Sequence, residues 1–134
     1  MTASDCPTTL ELTLDPISAV DLALYAAASG DLNLLHLDAN VARAAGFERP
    51  IAHGMRTMAC VARMFTQHFG ATALRALNTR FVGTAALGDV LVMRATLVQV
   101  DGTNASYELT VQTAGGAPVV SGNARVAVPV PVFG

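Results

Sequence analysis

The spacing of hydrophobic and polar positions changes along the chain, and each change marks an element. Residues 8–14, "TTLELTL", alternate: Leu10, Leu12 and Leu14 fall on one face, Thr9, Glu11 and Thr13 on the other. A period of two is that of a half-buried strand. Residues 1–7 before it read as a loose N-terminal tail. In "DPISAVDLALYAAASG" the period lengthens. Asp15 before Pro16 predicts an N-cap with proline at the first helical position, Val20, Leu24 and Ala27 recur at helical spacing, and Gly30 predicts the stop. Residues 37–52 read as irregular or as holding a short helix around Val41 to Ala45, with Pro50 disfavouring helix at Arg49. "HGMRTMACVARMFTQHF", residues 53–69, predicts the longest helix. Its stripe reads Met55, Met58, Ala59, Ala62, Phe65 and Phe69, widened by Val61 and Met64, which predicts a helix wrapped on most sides.

The remainder returns to strand patterning. Residues 77–82, 90–100, 105–113 and 119–128 are separated by turn signals at Gly88-Asp89, Asp101-Gly102 and Gly115-Gly116. Strand, helices and then a four-strand meander predict one α+β domain, in which an antiparallel sheet of about five strands packs on a central apolar helix.

Composition sharpens this picture. Of 134 residues 52% are hydrophobic and only 13% charged, so the pattern predicts that part of the surface is covered, most simply by a second copy of the chain. The formal charge is −2 and the eight basic residues, all arginine, are scattered, which leaves no basic face for nucleic acid. No stretch approaches the roughly 18 apolar residues of a spanning helix, and the N-terminus lacks the pattern of a signal peptide. A soluble cytoplasmic protein without membrane insertion is the expectation. Cys6 and Cys60 lie in unrelated contexts and have no neighbours at ligand spacing.

Two short stretches concentrate the polar chemistry. The first is "GDLNLLH", residues 30–36. On a continuous helix Asp31 and His36 point about 140° apart and cannot cooperate. In a turn that folds back after Gly30 they face one cavity, where a carboxylate and an imidazole can activate water and return a proton to carbon. On spacing alone a capped turn competes with this acid–base pair. The second is "PIAHGM", residues 50–55, where a glycine opens the long helix. The first amides of a helix lack partners and carry the positive end of its dipole, so the Gly54 N–H is placed to hold a developing negative charge. Close packing against the sheet selects glycine equally well. His53, beside it, reads as a cap or a core hydrogen-bonder. Ser29 and Ser121 lack the setting of a hydrolase nucleophile, the histidines show no metal-ligand spacing, and no metal is expected. Arg56 and Arg63, two turns apart on the long helix, read first as solvated rim residues.

Together, "YAAASGDLNLLHLD" (25–38), "GFERPIAHGM" (46–55) and "RFVGTAALGDVLVMRATL" (80–97) resemble the MaoC-like dehydratases, among them the R-specific enoyl-CoA hydratases. The resemblance covers nearly the whole chain. It implies a hot-dog fold, a homodimer, and reversible syn hydration of trans-2-enoyl-CoA to (R)-3-hydroxyacyl-CoA. It implies that Asp31 and His36 activate water and that the Gly54 amide polarises the thioester carbonyl. Asn33 shapes the turn, with Ser29 and His53 in support. No cofactor is implied beyond the CoA or acyl carrier protein that bears the substrate. Met55, Met58, Phe65, Leu34 and Leu35 are the candidate walls of the acyl pocket. The family's usual proline after the asparagine is Leu34 here, which frees the turn and restores an N–H. Two alternatives stand beside this reading: an acyl-CoA thioesterase, against which the long helix carries no carboxylate, and a non-catalytic acyl-thioester-binding subunit of a heteromeric dehydratase.

Overall fold

The structure, a computed structural model, describes residues 6–128. Five strands form one antiparallel sheet in the order β1-β3-β4-β5-β2: β1 (Thr9–Thr13), β2 (Leu74–Phe81), β3 (Leu91–Asp101), β4 (Asn104–Thr113) and β5 (Pro118–Ala127). Period-two patterning located all five, and β2 begins three residues earlier than the pattern indicated, at Leu74 in place of 77. Alternation sends Ala105, Tyr107, Leu109 and Val111 of β4 into the core, opposite Met93 and Ala95 of β3 and Ala124 and Val126 of β5. Over this face lies α3 (Gly54–Phe69), preceded in the chain by α1 (Ala19–Ser29) and α2 (Ala39–Ala44). The Phe65 ring meets Tyr107 edge-on at 5.7 Å, and the Tyr107 hydroxyl donates to the carbonyl of Pro7 at 2.8 Å. That bond ties down the end of the expected tail, whose residues 1–5 lie outside the described residues.

The first helix starts later than Asp15-Pro16 predicted. Its N-cap is Ser18, in a capping box: Ser18 Oγ accepts from the Asp21 N–H at 3.0 Å and Asp21 Oδ2 accepts from the Ser18 N–H at 2.9 Å. Ile17 cannot join the helix because its backbone is bonded to Gly88 and Asp89 of the β2–β3 connection. Gly30 ends the helix at φ 77°, a conformation that favours glycine, with its N–H on the Ala26 carbonyl.

The buried face of α1 is rotated relative to the stripe read from the sequence, whereas α3 buries the Val61, Met64 and Phe65 part of its stripe. In α1 the buried residues are Leu22 and Ala26, while Val20 and Leu24 are each 65% exposed. In α3 they are Thr57, Val61, Met64 and Phe65; Met55 and Ala59 face outward and Met58 and Ala62 are half-buried. The sheet of this chain covers the face of α3 that carries Val61, Met64 and Phe65. Arg56 is not a rim residue: its side chain is 17% exposed and reaches Asp21 at 3.7 Å, whereas Arg63 is exposed. Among the described residues no helix is long and apolar enough to cross a membrane, and Cys6 and Cys60 form no disulfide.

Candidate active site

The chain between α1 and α2 is built from a ladder of side-chain to backbone hydrogen bonds, each spanning two residues. The Asp31 N–H donates to Ser29 Oγ at 3.2 Å, the Asn33 N–H to Asp31 Oδ1 at 3.2 Å and the Leu35 N–H to Asn33 Oδ1 at 3.1 Å. Short polar side chains favour such turns over helix. Asn33 thereby caps a single 3-10 turn, Leu34–His36, that brings His36 back toward Asp31. The ladder also divides the work of the Asp31 carboxylate. Oδ1 is held by the turn, and Oδ2 stands 3.7 Å from His36 Nε2.

His36 is oriented from its other side. Its Nδ1 lies 2.6 Å from the carbonyl oxygen of Ile51. A carbonyl only accepts, so Nδ1 carries the hydrogen, and when the ring is neutral Nε2 presents a lone pair toward Asp31. Two acceptors 3.7 Å apart do not bond directly, and a water between them can donate one O–H to each.

His53 supports this arrangement as a core hydrogen-bonder and not as a cap. It is 3% exposed, its ring stacks on that of His36 at 3.7 Å with planes 22° apart, and its Nε2 lies 3.1 Å from the Asp31 carbonyl. Because the ring is turned this way, His53 makes no side-chain hydrogen bond to the start of α3. The first amides of that helix, Gly54 included, are therefore left uncapped at the positive end of the dipole. Gly54 also packs closely: a Cβ there would stand 3.1 Å from two atoms of the Phe81 ring. Close packing is therefore one reason for glycine at this position, and the uncapped amide is the other feature it presents.

These groups share a cavity of about 500 Å³ lined by Tyr25, Ser29, Asp31, His36, His53, Gly54, Met55 and Phe81. Five of the six residues singled out from the sequence are thus brought together. The sixth, Asn33, acts from within the turn and is not among the lining residues. Of the candidate pocket walls Met55 lines this cavity; Met58, Phe65, Leu34 and Leu35 do not. Tyr25 and Phe81 were not singled out. Tyr25 lies one helical turn before Ser29 and was legible by that spacing, whereas Phe81 arrives through the pairing of β2 with β5.

Asp31, His36 and His53 offer possible ligand atoms within 4.8 Å of one another, a cluster that linear spacing did not reveal. Donors around one zinc ion stand only about 3.3 Å apart, with lone pairs converging on the metal. The two imidazoles lie face to face in nearly parallel planes, and one nitrogen of each already faces a backbone carbonyl. The arrangement suits proton transfer to a held water better than metal ligation.

The family model described as the MaoC-like domain matches residues 5–116. The chain belongs to this family. Its fold is the hot-dog fold that the sequence motifs implied. It is 35% identical over 118 residues to the (R)-specific enoyl-CoA hydratase of Aeromonas caviae, a match covering 83% of this chain and 86% of that one. The R-hydratase PhaJ1 from Pseudomonas aeruginosa superposes on this MaoC-like domain with a TM-score of 0.87 at 27% identity, covering 97% of this chain and 86% of the other. A probable enoyl-CoA hydratase 2 from Dictyostelium discoideum is 39% identical over 61 residues, which is 43% of this chain and 21% of that longer protein.

Proposed function

We propose that this MaoC-like protein adds water reversibly to a trans-2-enoyl thioester, giving the (R)-3-hydroxyacyl thioester. The observation that carries the reading is the pairing of Asp31 Oδ2 with His36 Nε2, 3.7 Å apart, in a cavity that Gly54 also lines. A water held by both groups loses one proton to the pair as its oxygen bonds to C3 of the substrate. The electron pair of the double bond moves toward the thioester oxygen, where the Gly54 amide receives the charge. The pair then returns the proton at C2, so one water is added and both side chains regain their starting state. One pair of groups delivers oxygen and proton from one side, which makes the addition syn. The (R) product and the CoA thioester are supported by the match to the (R)-specific enoyl-CoA hydratase of Aeromonas caviae.

The protein acts as a homodimer in this reading. Val20 and Leu24 of α1, with Met55 and Phe81 at the cavity, are exposed apolar side chains on a weakly charged chain, and among the described residues β2 is a sheet edge.

The test is loss of enoyl absorbance when the protein meets crotonyl-CoA and then octenoyl-CoA. Asp31→Asn and His36→Gln are each expected to lower turnover by about 10²–10⁴ with the fold intact. Full activity in both variants overturns the assignment.

A further inference from the structure

Two sequence features have no part in the water-activating pair: the arginine of "GFERPIAHGM" and the aspartate of "AALGD". The fold joins them. Arg49 Nη2 lies 3.2 Å from Asp89 Oδ1, and Arg49 Nη1 donates to the Leu87 carbonyl. The second carboxylate oxygen of Asp89 accepts from the Ala86 N–H at 2.9 Å. Both oxygens are thus used, one on the 49–52 segment and one on the β2–β3 connection.

This junction lies directly behind His36. Ile51 bridges to Ala86, and the flanking residues add the Leu87 N–H to the Pro50 carbonyl at 2.9 Å and the Ala52 N–H to the Ala85 carbonyl at 2.7 Å. On its other side the Ile51 N–H donates to the Leu35 carbonyl at 3.2 Å, and the Ile51 carbonyl receives His36 Nδ1 at 2.6 Å. The Ile51 carbonyl selects which nitrogen of His36 carries the hydrogen and where the other points. Its position is set by the connection that Asp89 and Arg49 hold in register.

We propose that Arg49 and Asp89 form a positioning pair for hydration, acting through the Ile51 carbonyl on the tautomer and direction of His36. This rests on the hydratase reading only for its kinetic consequence. A purely stabilising role explains the pair less well: the Arg49 side chain is 48% exposed, and exposed ion pairs contribute little to folding. Its two-oxygen, two-segment geometry fixes a backbone position, and small displacements of a reacting group cost far more in rate than in stability.

Asp89→Ala and Arg49→Met are each expected to lower kcat about 10- to 100-fold, with KM changed by less than about threefold. In a His36→Gln background the same substitutions should cost nothing further, because their effect passes through the imidazole. Independently of turnover, the hydrogen-bonded Nδ1 proton of His36, assigned by its loss in His36→Gln, should shift or broaden in both variants. Arg49→Met keeps the Asp89 bond to Ala86, so it decides the matter if Asp89→Ala fails to fold. An unmoved Nδ1 proton resonance in a folded variant overturns the proposal, as does a full additional rate loss in the His36→Gln background. If the wild-type protein hydrates no enoyl-CoA, the hydratase reading fails while the proton resonance still decides the link from Arg49 and Asp89 to His36.

Discussion

Gly54→Ala separates the two reasons for glycine at the start of α3. The added methyl meets Cε1 and Cζ of Phe81 at 3.1 Å and Cδ1 at 3.3 Å, a tight contact but not a clash with backbone. Phe81 is 48% exposed, so its ring can give way by the few tenths of an ångström required. Gly54 is already helical, and alanine in a compatible conformation gains about 0.4–1 kcal/mol by restricting the unfolded chain. Ring displacement and that gain oppose one another, which leaves folding stability within about 1 kcal/mol of wild type. The effect on rate is larger. Gly54 and Phe81 line the same cavity, and the methyl occupies the slot between them beside the Gly54 amide. Losing one donor to the developing oxyanion costs about 2.7–4 kcal/mol, or 10²–10³ in turnover. Enoyl absorbance kinetics and a thermal melt on the same preparation give both quantities. The expected result is a collapse of kcat/KM with a nearly unchanged Tm. Activity retained, or activity and Tm falling together, refutes the oxyanion role and leaves close packing as the whole reason for the glycine.

Other consequences follow from the buried tyrosine and the active-site turn. Burial pushes the Tyr107 hydroxyl up to about 12, with the Cys6 thiolate adding to it; since that lies above the unfolded value near 10, the associated stability is present below pH 10 and lost as pH rises toward 12. Tyr107→Phe should flatten that alkaline loss in denaturant titrations at pH 7, 9 and 11, and cost roughly 0.5–1.5 kcal/mol at neutral pH through the bond to Pro7. Leu34 opens the 3-10 turn, where its N–H has no partner within the turn, and Asn33 before it sits at φ −57° and ψ 124°, which a following proline accepts. Leu34→Pro should therefore raise stability by about 0.4–1 kcal/mol with hydration retained; a fall in Tm would show that leucine is needed there for packing.

What the sequence made legible was set by range. Asp31, Asn33 and Ser29 were recognisable because each acts on a backbone amide two residues away, and Gly54 because a helix start is a local event. His53 was read only as a cap or core residue, since its stacking on His36 joins segments seventeen positions apart (53 against 36). The orientation of His36 depends on a main-chain carbonyl, which no side-chain pattern encodes, and on an ion pair between residues 49 and 89. The buried face of α1 was misplaced for a different reason. Periodicity identifies positions that avoid water without saying what covers them. On α1 one apolar set, Leu22 and Ala26, packs into the core of its own chain, and another, Val20 and Leu24, remains exposed. A helix with a single buried face would carry charge on the other side; here α1 carries only Asp21, already engaged by its own cap and by Arg56. The second apolar face is what a chain needs if another copy lies against α1, so the displaced phase of the helix argues for the proposed dimer on the same grounds as the scarcity of charge.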